Sequence, residues 1–121
     1  MKVKIKDYEY EIKEVDENEK DFFNENNELR LYGQTIYEEQ VIKIYKHLNI
    51  KRKRDTLIHE LTHAFHDVYL SSQHIKDKFD EEDICYFMAS YSEDILKIVN
   101  EYFKEVSNAN NNWNKKIHRW R

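Results

Sequence analysis

Apolar and charged residues nearly alternate along the first twelve positions of the chain. The apolar positions are Val3, Ile5, Tyr8, Tyr10 and Ile12, with Lys, Glu and Asp between them. Because successive side chains of a β-strand point to opposite faces, this pattern predicts a half-buried strand or a hairpin. The pair Lys6-Asp7 interrupts the alternation, so a hairpin would turn there.

Two more strands are predicted in the first third of the chain. Residues Leu29–Tyr32 and Val41–Tyr45 are rich in aliphatic and aromatic side chains, which favour strands. Gly33-Gln34 lies between them and is typical of a turn or bulge. The acidic, Asn-rich stretch 16–28 predicts a connection with room for one helical turn. The expected result is a small antiparallel sheet.

From about residue 52 the apolar residues follow the period of a helix. In the first predicted helix they are Leu57, Leu61, Ala64, Phe65 and Val68. This spacing forms one apolar stripe along the helix. We expect Asp55 or Thr56 to be the N-cap and Ser71-Ser72 to mark the end.

A second, longer helix is predicted from near Asp80 to around Ser107. Its apolar stripe comprises Ile84, Phe87, Met88, Tyr91, Ile95, Ile98, Val99 and Tyr102. Residues 1–107 are therefore expected to form one domain of the α+β class, a small antiparallel sheet followed by two helices. Residues 108–121 have no clear period and are expected to be a loosely held polar tail.

Composition and charge narrow the expected partners and location. The chain has 121 residues and a net charge of −4, so it has no general attraction for nucleic acid. No apolar run reaches the roughly 20 residues that cross a membrane, and no membrane partner is expected. The single cysteine, Cys85, rules out an intramolecular disulfide and suits a reducing, cytoplasmic location. The basic run Lys51–Arg54 could bind nucleic acid or an acidic partner protein, although most such runs are only solvated.

The segment His59-Glu60-Leu61-Thr62-His63 carries the strongest candidate chemistry. With about 100° of rotation per residue, His59 and His63 fall on one face of the first helix, opposite its apolar stripe. Two imidazoles four residues apart on one face can reach a single metal ion beside the helix. Glu60 can hold a water molecule there and take its proton. This spacing predicts a zinc site with Glu60 as the catalytic base.

Two solvent-facing histidines on an ordinary amphipathic helix are the alternative interpretation of the same motif. We favour a metal site because the motif is embedded in TLIHELTHAF, residues 56–65. Leucine and isoleucine so close to the histidines indicate a covered, cleft-like site rather than an open polar surface.

A tetrahedral zinc site that keeps one position open for water needs a third protein ligand. The metzincin spacing is excluded, because it would require glycine at position 66 and histidine at position 69, where the chain has His66 and Tyr69. His66 shares the face of the other two histidines. However, it lies about 10.5 Å from His59 along the helix axis, so sharing one ion would be strained. His74, in the connection after the first helix, stays open as a ligand.

The acidic start of the second helix, Asp80–Asp83, is the better source of the third ligand. Glu81 falls at the edge of the predicted apolar stripe, where a carboxylate needs a partner and a metal ion is a suitable one. Glu82 points away from the stripe and is the second choice, and Asp80 is also possible. The alternative is an acidic first turn that only complements the helix dipole.

These features together resemble the minimal gluzincin core. They are more closely similar to the small ImmA/IrrE-like metallopeptidases and to phage-encoded HExxH proteins. The similar segments are KIKDYEYEI, LYGQTIYEEQVIKIY, TLIHELTHAF and EEDICYFMASY, within residues 2–100, and only the HExxH segment is specific. The resemblance implies a zincin-like fold with an HExxH active-site helix.

The resemblance also implies residue roles. His59 and His63 would be zinc ligands, Glu60 the general base, and a carboxylate of the second helix the third ligand. Relatives have a Glu followed by small residues and Phe at that point. Here the stretch Glu81–Asp83 offers three acidic residues that can each be aligned with it.

The expected function is zinc-dependent hydrolysis of peptide bonds in a protein or peptide substrate, through a zinc-bound water activated by Glu60. Relatives of the ImmA type act on repressors and regulators, which makes such a protein one candidate substrate. The alternative is a non-catalytic metal-binding protein that acts by binding a partner, for example a host protein. The two differ at Glu60, because only hydrolysis requires its carboxylate.

Overall fold

The computed structural model of the protein describes residues 1–70 and 79–119, with side chains up to Ser107 in the last helix. The strands are β1 (Lys2–Ile5), β2 (Tyr8–Val15), β3 (Gly33–Ile36) and β4 (Val41–Tyr45). The helices are α1 (Ile50–Leu70) and α2 (Glu81–Arg119), and a short 3₁₀ helix spans Lys20–Phe22. A small sheet followed by two helices confirms the α+β class and the helical turn in the acidic connection.

Of the two arrangements predicted for the N-terminus, a single half-buried strand or a hairpin, the structure has the hairpin. β1 and β2 pair antiparallel with Ile5 opposite Tyr8, and Lys6 has a left-handed φ of 56° in the turn between them. The buried residues of these two strands are Val3, Ile5, Tyr10 and Ile12. The near-alternation in the sequence therefore reflects a sheet with one face against the core.

The sheet is mixed, so the prediction of a purely antiparallel sheet was wrong. Its strand order is β1-β2-β4-β3, and β2 pairs with β4 in parallel, with Ile12 beside Ile42. The chain reverses direction twice between these strands, once into β3 and again into β4, which pairs antiparallel with β3. Apolar alternation identifies buried positions but not the neighbouring strand, so the pattern could not distinguish the two arrangements.

The third strand lies later in the chain than predicted. Leu29–Tyr32 is not a strand, and β3 begins at Gly33 instead. Gly33-Gln34, predicted to be a turn or bulge, is the first half of this strand. The turn comes after β3, where Gln40 has a left-handed φ of 56°. The single glycine of the chain thus marks a close approach of backbone to another element rather than a turn.

α1 begins earlier than predicted. It starts at Ile50, and the side chain of Asn49 accepts a hydrogen bond of 2.8 Å from a backbone N–H of the first turn. The predicted caps, Asp55 and Thr56, lie inside the helix. The basic run 51–54 hid this start because charged residues carry no apolar period, although lysine and arginine are good helix formers.

The apolar stripe predicted for α1 is confirmed. The buried residues of this helix are Thr56, Leu57, Glu60, Leu61, Ala64 and Phe65, and Val68 is partly buried. The apolar members form one core with Ile42 and Ile44 of β4. The predicted end at Ser71-Ser72 lies outside the described residues.

α2 runs antiparallel to α1. Tyr91 stacks on Tyr69 with ring centroids 4.5 Å apart, and further along α2 the Asn100 side chain accepts a hydrogen bond of 3.1 Å from Arg54. The buried residues of α2 are Phe87, Ile95, Ile98, Val99 and Tyr102. The predicted stripe also included Ile84 and Met88, but these side chains are 50% and 53% exposed. Helical spacing fixes the direction of a stripe but not how far its packing partners extend.

α2 continues to Arg119, so its predicted end near Ser107 was wrong. The polar, Asn-rich residues beyond that point have no apolar period, and the pattern therefore carried no signal of a continuing helix. The side chains of 108–121, the predicted loosely held tail, lie outside the described residues. No helix described by the structure has the length and apolarity needed to cross a membrane.

Candidate metal centre

The two histidines of the motif lie side by side on the outer face of α1. Both are exposed, and the side chain of His59 is 68% exposed. The prediction that these histidines lie in a covered site was wrong, because the leucine and isoleucine beside them belong to the opposite, buried face of the helix. The Nε2 atoms of His59 and His63 are 3.2 Å apart, and the ring centroids are 4.8 Å apart. The sequence spacing therefore does bring the two imidazoles together.

The separation of the two nitrogens matches the geometry of a shared ion. Two imidazole nitrogens bound to one tetrahedral zinc at about 2.0–2.1 Å are roughly 3.3 Å apart. The same 3.2 Å contact also fits a hydrogen bond in which one neutral ring donates to the other. Both arrangements require the two Nε2 atoms to converge on one point above the helix.

Glu60 is buried, in contrast to the histidines on either side of it. It is 7% exposed, and its Oε1 accepts a hydrogen bond of 2.8 Å from the Thr35 hydroxyl of β3. That hydroxyl is also 3.0 Å from the backbone oxygen of Glu60, and with one proton it donates to one acceptor at a time. The other carboxylate oxygen, Oε2, lies 3.9 Å from His59 Nε2. Thr35 thus fixes one oxygen and leaves the other on the side of His59.

Tyr37, just after β3, lies within the electrostatic reach of the same carboxylate. Burial raises the pKa of the Tyr37 hydroxyl, and the negative charges of Asp67 and Glu60 raise it further. The side chain is nevertheless 44% exposed. A tyrosine hydroxyl whose pKa is raised keeps its proton at neutral pH.

Gly33 lets β3 approach α1 closely enough for the contact between Thr35 and Glu60. A Cβ atom at this position would lie 2.7 Å from Thr56 Cγ2 and 2.9 Å from Glu60 Cγ. Both distances are shorter than carbon atoms tolerate, and both partners are buried. The requirement for glycine is therefore a close approach between strand and helix, and not a special backbone angle.

Gly33→Ala is expected to lower the free energy of unfolding by about 1–3 kcal/mol, because the added methyl group forces the strand away from α1. Urea denaturation followed by circular dichroism measures this change. Thr56→Ser removes the nearest methyl group but keeps the hydroxyl that donates to the Arg52 carbonyl oxygen at 2.7 Å. In the Gly33→Ala background it should restore part of the stability. Equal stability of Gly33→Ala and the wild type would contradict the steric argument.

The acidic residues at the start of α2 have a structural use. The Asp83 N–H donates to Asp80 Oδ1 and the Asp80 N–H donates to Asp83 Oδ2, both at 3.0 Å, which forms a reciprocal cap of the helix. Glu81 and Glu82 are exposed in the first turn. Within the part of the chain that the structure describes, no three His, Cys, Asp or Glu side chains are grouped to hold a metal ion. The choice of Glu81 over Glu82 as third ligand therefore stays a prediction.

The remaining histidine candidates differ in position. His66 is exposed and packs edge-on against Phe79, with ring centroids 5.7 Å apart, rather than against the pair. His74 lies outside the described residues.

A cleft opens beside the motif, between α1 and the segment that leads into β3. It has a volume of about 430 Å³, and its lining includes Arg30, Tyr32, Gly33, Arg52, His59 and Glu60. Sequence patterns gave no reason to select Thr35, and they did not distinguish Arg52 from the other residues of the basic run 51–54. The one available signal for Thr35 was Gly33, two residues earlier. A glycine within a strand often marks a place where another element approaches the backbone closely.

Comparisons with protein-family models, with curated proteins and with solved structures find no match to this chain. The resemblance to ImmA/IrrE-like metallopeptidases thus stays a prediction. Any function has to follow from the geometry of the residues described above.

Proposed function

We propose that the protein is a zinc-dependent metallopeptidase with a minimal zincin-like fold, in which α1 is the active-site helix. One observation carries the proposal. A buried carboxylate, Glu60, is held by Thr35 with its other oxygen on the side of His59, one of two exposed, converging imidazoles. Burying a carboxylate is costly unless hydrogen bonds, a cation or a metal ion compensate for the lost water, and the hydroxyl of Thr35 serves only one of the two oxygens. If the two histidines were only solvated surface residues, there would be no need for a buried, oriented carboxylate beside them.

His59 and His63 would hold the zinc ion through their Nε2 atoms, with Glu81, or alternatively Glu82, as the third ligand. Zinc, when bound, supplies a Lewis acid that polarises a carbonyl group and lowers the pKa of water. Glu60 then takes a proton from the attacking water through Oε2 and passes it to the leaving amine. Thr35 keeps the carboxylate oriented during both transfers.

β3 supports this proposal because it lies at the edge of the sheet and contacts the motif. An extended peptide can bind a sheet edge as an additional strand, with backbone hydrogen bonds that do not depend on its sequence. A peptide bound to β3 would run past Thr35 and therefore past Glu60. The substrate expected from this geometry is an extended or unfolded segment of a protein.

The metal content of the protein tests the proposal. Protein purified without added zinc is expected to contain about one zinc ion per chain, measured by inductively coupled plasma mass spectrometry. His59→Ala should lose the zinc. His66→Ala is the matched control, because it removes an exposed histidine from the same helix without touching the pair, and it should keep the zinc. A wild type that retains no zinc after zinc is supplied and the excess removed would exclude the proposal.

A further inference from the structure

The basic run of α1 is divided by the fold into residues with different partners. Lys51 pairs with Asp55 at 3.1 Å, and Lys53 pairs with Glu14 of β2 at 2.6 Å. Arg54 donates to Asn100 of α2. Three of the four cations therefore have a partner within the domain.

Arg52, the fourth residue of the run, lies in the cleft beside the motif. Its guanidinium stacks on the ring of Tyr32, 4.7 Å from the ring centroid, and donates to the Tyr32 hydroxyl. Among the side chains that the structure describes, Arg52 forms no ion pair with a carboxylate. A guanidinium has five N–H donors, so most of them stay available for a ligand while the tyrosine fixes its position.

A second arginine lines the same cleft. Arg30 donates through Nη2 to the backbone oxygen of Asp21 at 2.8 Å, a contact that orients the side chain without neutralising its charge. The two carboxylates of the lining are already engaged, Asp55 with Lys51 and Glu60 with Thr35. Lys51 offsets Asp55, whereas the hydroxyl of Thr35 does not neutralise Glu60, so the two oriented guanidinium groups give the cleft an excess of positive over negative charge.

The position of the run at the start of α1 adds to this positive potential. The first turn has no acidic residue, although the positive end of the helix dipole favours acidic side chains there. Cations at that end lower the stability of the helix slightly and raise the potential in the adjoining cleft. An anionic ligand in the cleft would lower this potential and stabilise the start of the helix.

We propose that this cleft recognises the acidic side chain of a peptide segment and that Arg52 is its specificity-determining residue, an inference that rests on the proposed peptidase function. Arg52 and His59 are seven residues apart, about 10.5 Å along one face of the helix. An extended peptide advances about 3.3 Å per residue. The recognised Asp or Glu therefore lies three or four residues from the cleaved bond.

A cleavage assay on a peptide pool tests the position of the acidic residue. The full-length, zinc-loaded protein is incubated with a proteome-derived pool of peptides, and the new termini are identified by mass spectrometry. Asp and Glu should be enriched at one position, three or four residues from the cut. Arg52→Gln should abolish this enrichment while cleavage continues. Arg54→Gln, the same substitution on the opposite side of the helix, should preserve it. Thermal unfolding of each variant establishes that it is folded.

A binding assay separates this inference from the peptidase proposal. Two fluorescein-labelled decapeptides, identical except for a central Glu-Glu or Gln-Gln, are titrated against the Glu60→Gln variant and followed by fluorescence anisotropy. The charge-assisted contact with Arg52 predicts about tenfold tighter binding of the Glu peptide. The difference should disappear when Arg52→Gln is added and should shrink at high salt.

The two assays give distinct outcomes. Cleavage without an acidic preference, or with a preference that Arg52→Gln leaves intact, would overturn the inference and leave the peptidase proposal standing. Binding selectivity that depends on Arg52 without any cleavage would support the cleft as an acidic-peptide site and count against peptidase activity. Neither cleavage nor selective binding would overturn both.

Discussion

Glu60→Gln is expected to lower the rate of peptide hydrolysis by roughly 100- to 10,000-fold, the range that a positioned general base contributes. Glutamine has the same shape but cannot accept the proton of the attacking water. Its amide oxygen can still accept the hydrogen bond from Thr35, which lies 2.8 Å from Oε1 in the wild type. The variant should therefore stay folded and keep its zinc. The rate is measured on an unfolded protein substrate such as reduced casein.

The matched control for this substitution is Glu9→Gln. Glu9 lies on β2, outside the cleft, and its exposed carboxylate pairs with Lys2 at 3.7 Å. This variant should hydrolyse the substrate at close to the wild-type rate. A Glu60→Gln protein that is as active as the wild type would refute the role of Glu60. If the biological effect of the protein survives Glu60→Gln, the non-catalytic alternative of a metal-binding protein that occupies a partner is favoured instead.

Leu61→Ala is expected to lower the free energy of unfolding by about 2–5 kcal/mol, through lost burial and the cavity that remains. Leu61 has 0% exposure and belongs to the core between α1 and the sheet. A small domain has only about 5–15 kcal/mol of stability in total, so this loss would be a large fraction of it. Urea denaturation of the metal-free protein measures the change.

His63→Ala is the control, because it lies two residues away on the exposed face of the same helix. In the metal-free protein it should change stability by less than about 0.5 kcal/mol, although it should abolish zinc binding. The contrast would show that Leu61 stabilises the fold, whereas His63 binds the metal. Equal losses of stability for the two variants would show that the face of α1 has been assigned incorrectly.

The spacing of the motif by itself determines much of the candidate site. Helical geometry alone converts the four-residue separation of His59 and His63 into a shared face, and Leu61 fixes which face is buried. The same geometry puts Glu60 between these two faces. Once the segment is known to be a helix, these faces follow from its geometry alone.

The third ligand shows the limit of local periodicity. The preference for Glu81 depends on a predicted stripe that includes Ile84 and Met88, and both of those side chains are largely exposed. The nearby Asp83 instead takes part in the helix cap. A helical stripe gives the angle of a side chain about its own axis. It does not give the distance from that side chain to a residue on another helix.

Taken alone, the sequence determined the α+β class, the N-terminal hairpin, the buried stripe of α1 and the outward face of the two histidines. Each of these follows from the period of apolar residues within one element. Only the tertiary structure decided that β2 and β4 run in parallel, that Thr35 holds Glu60 and that Arg52 is the residue of the basic run that lines the cleft. These features join residues far apart in the chain, and they depend on strand neighbours and close approaches, such as that at Gly33, which no local period encodes.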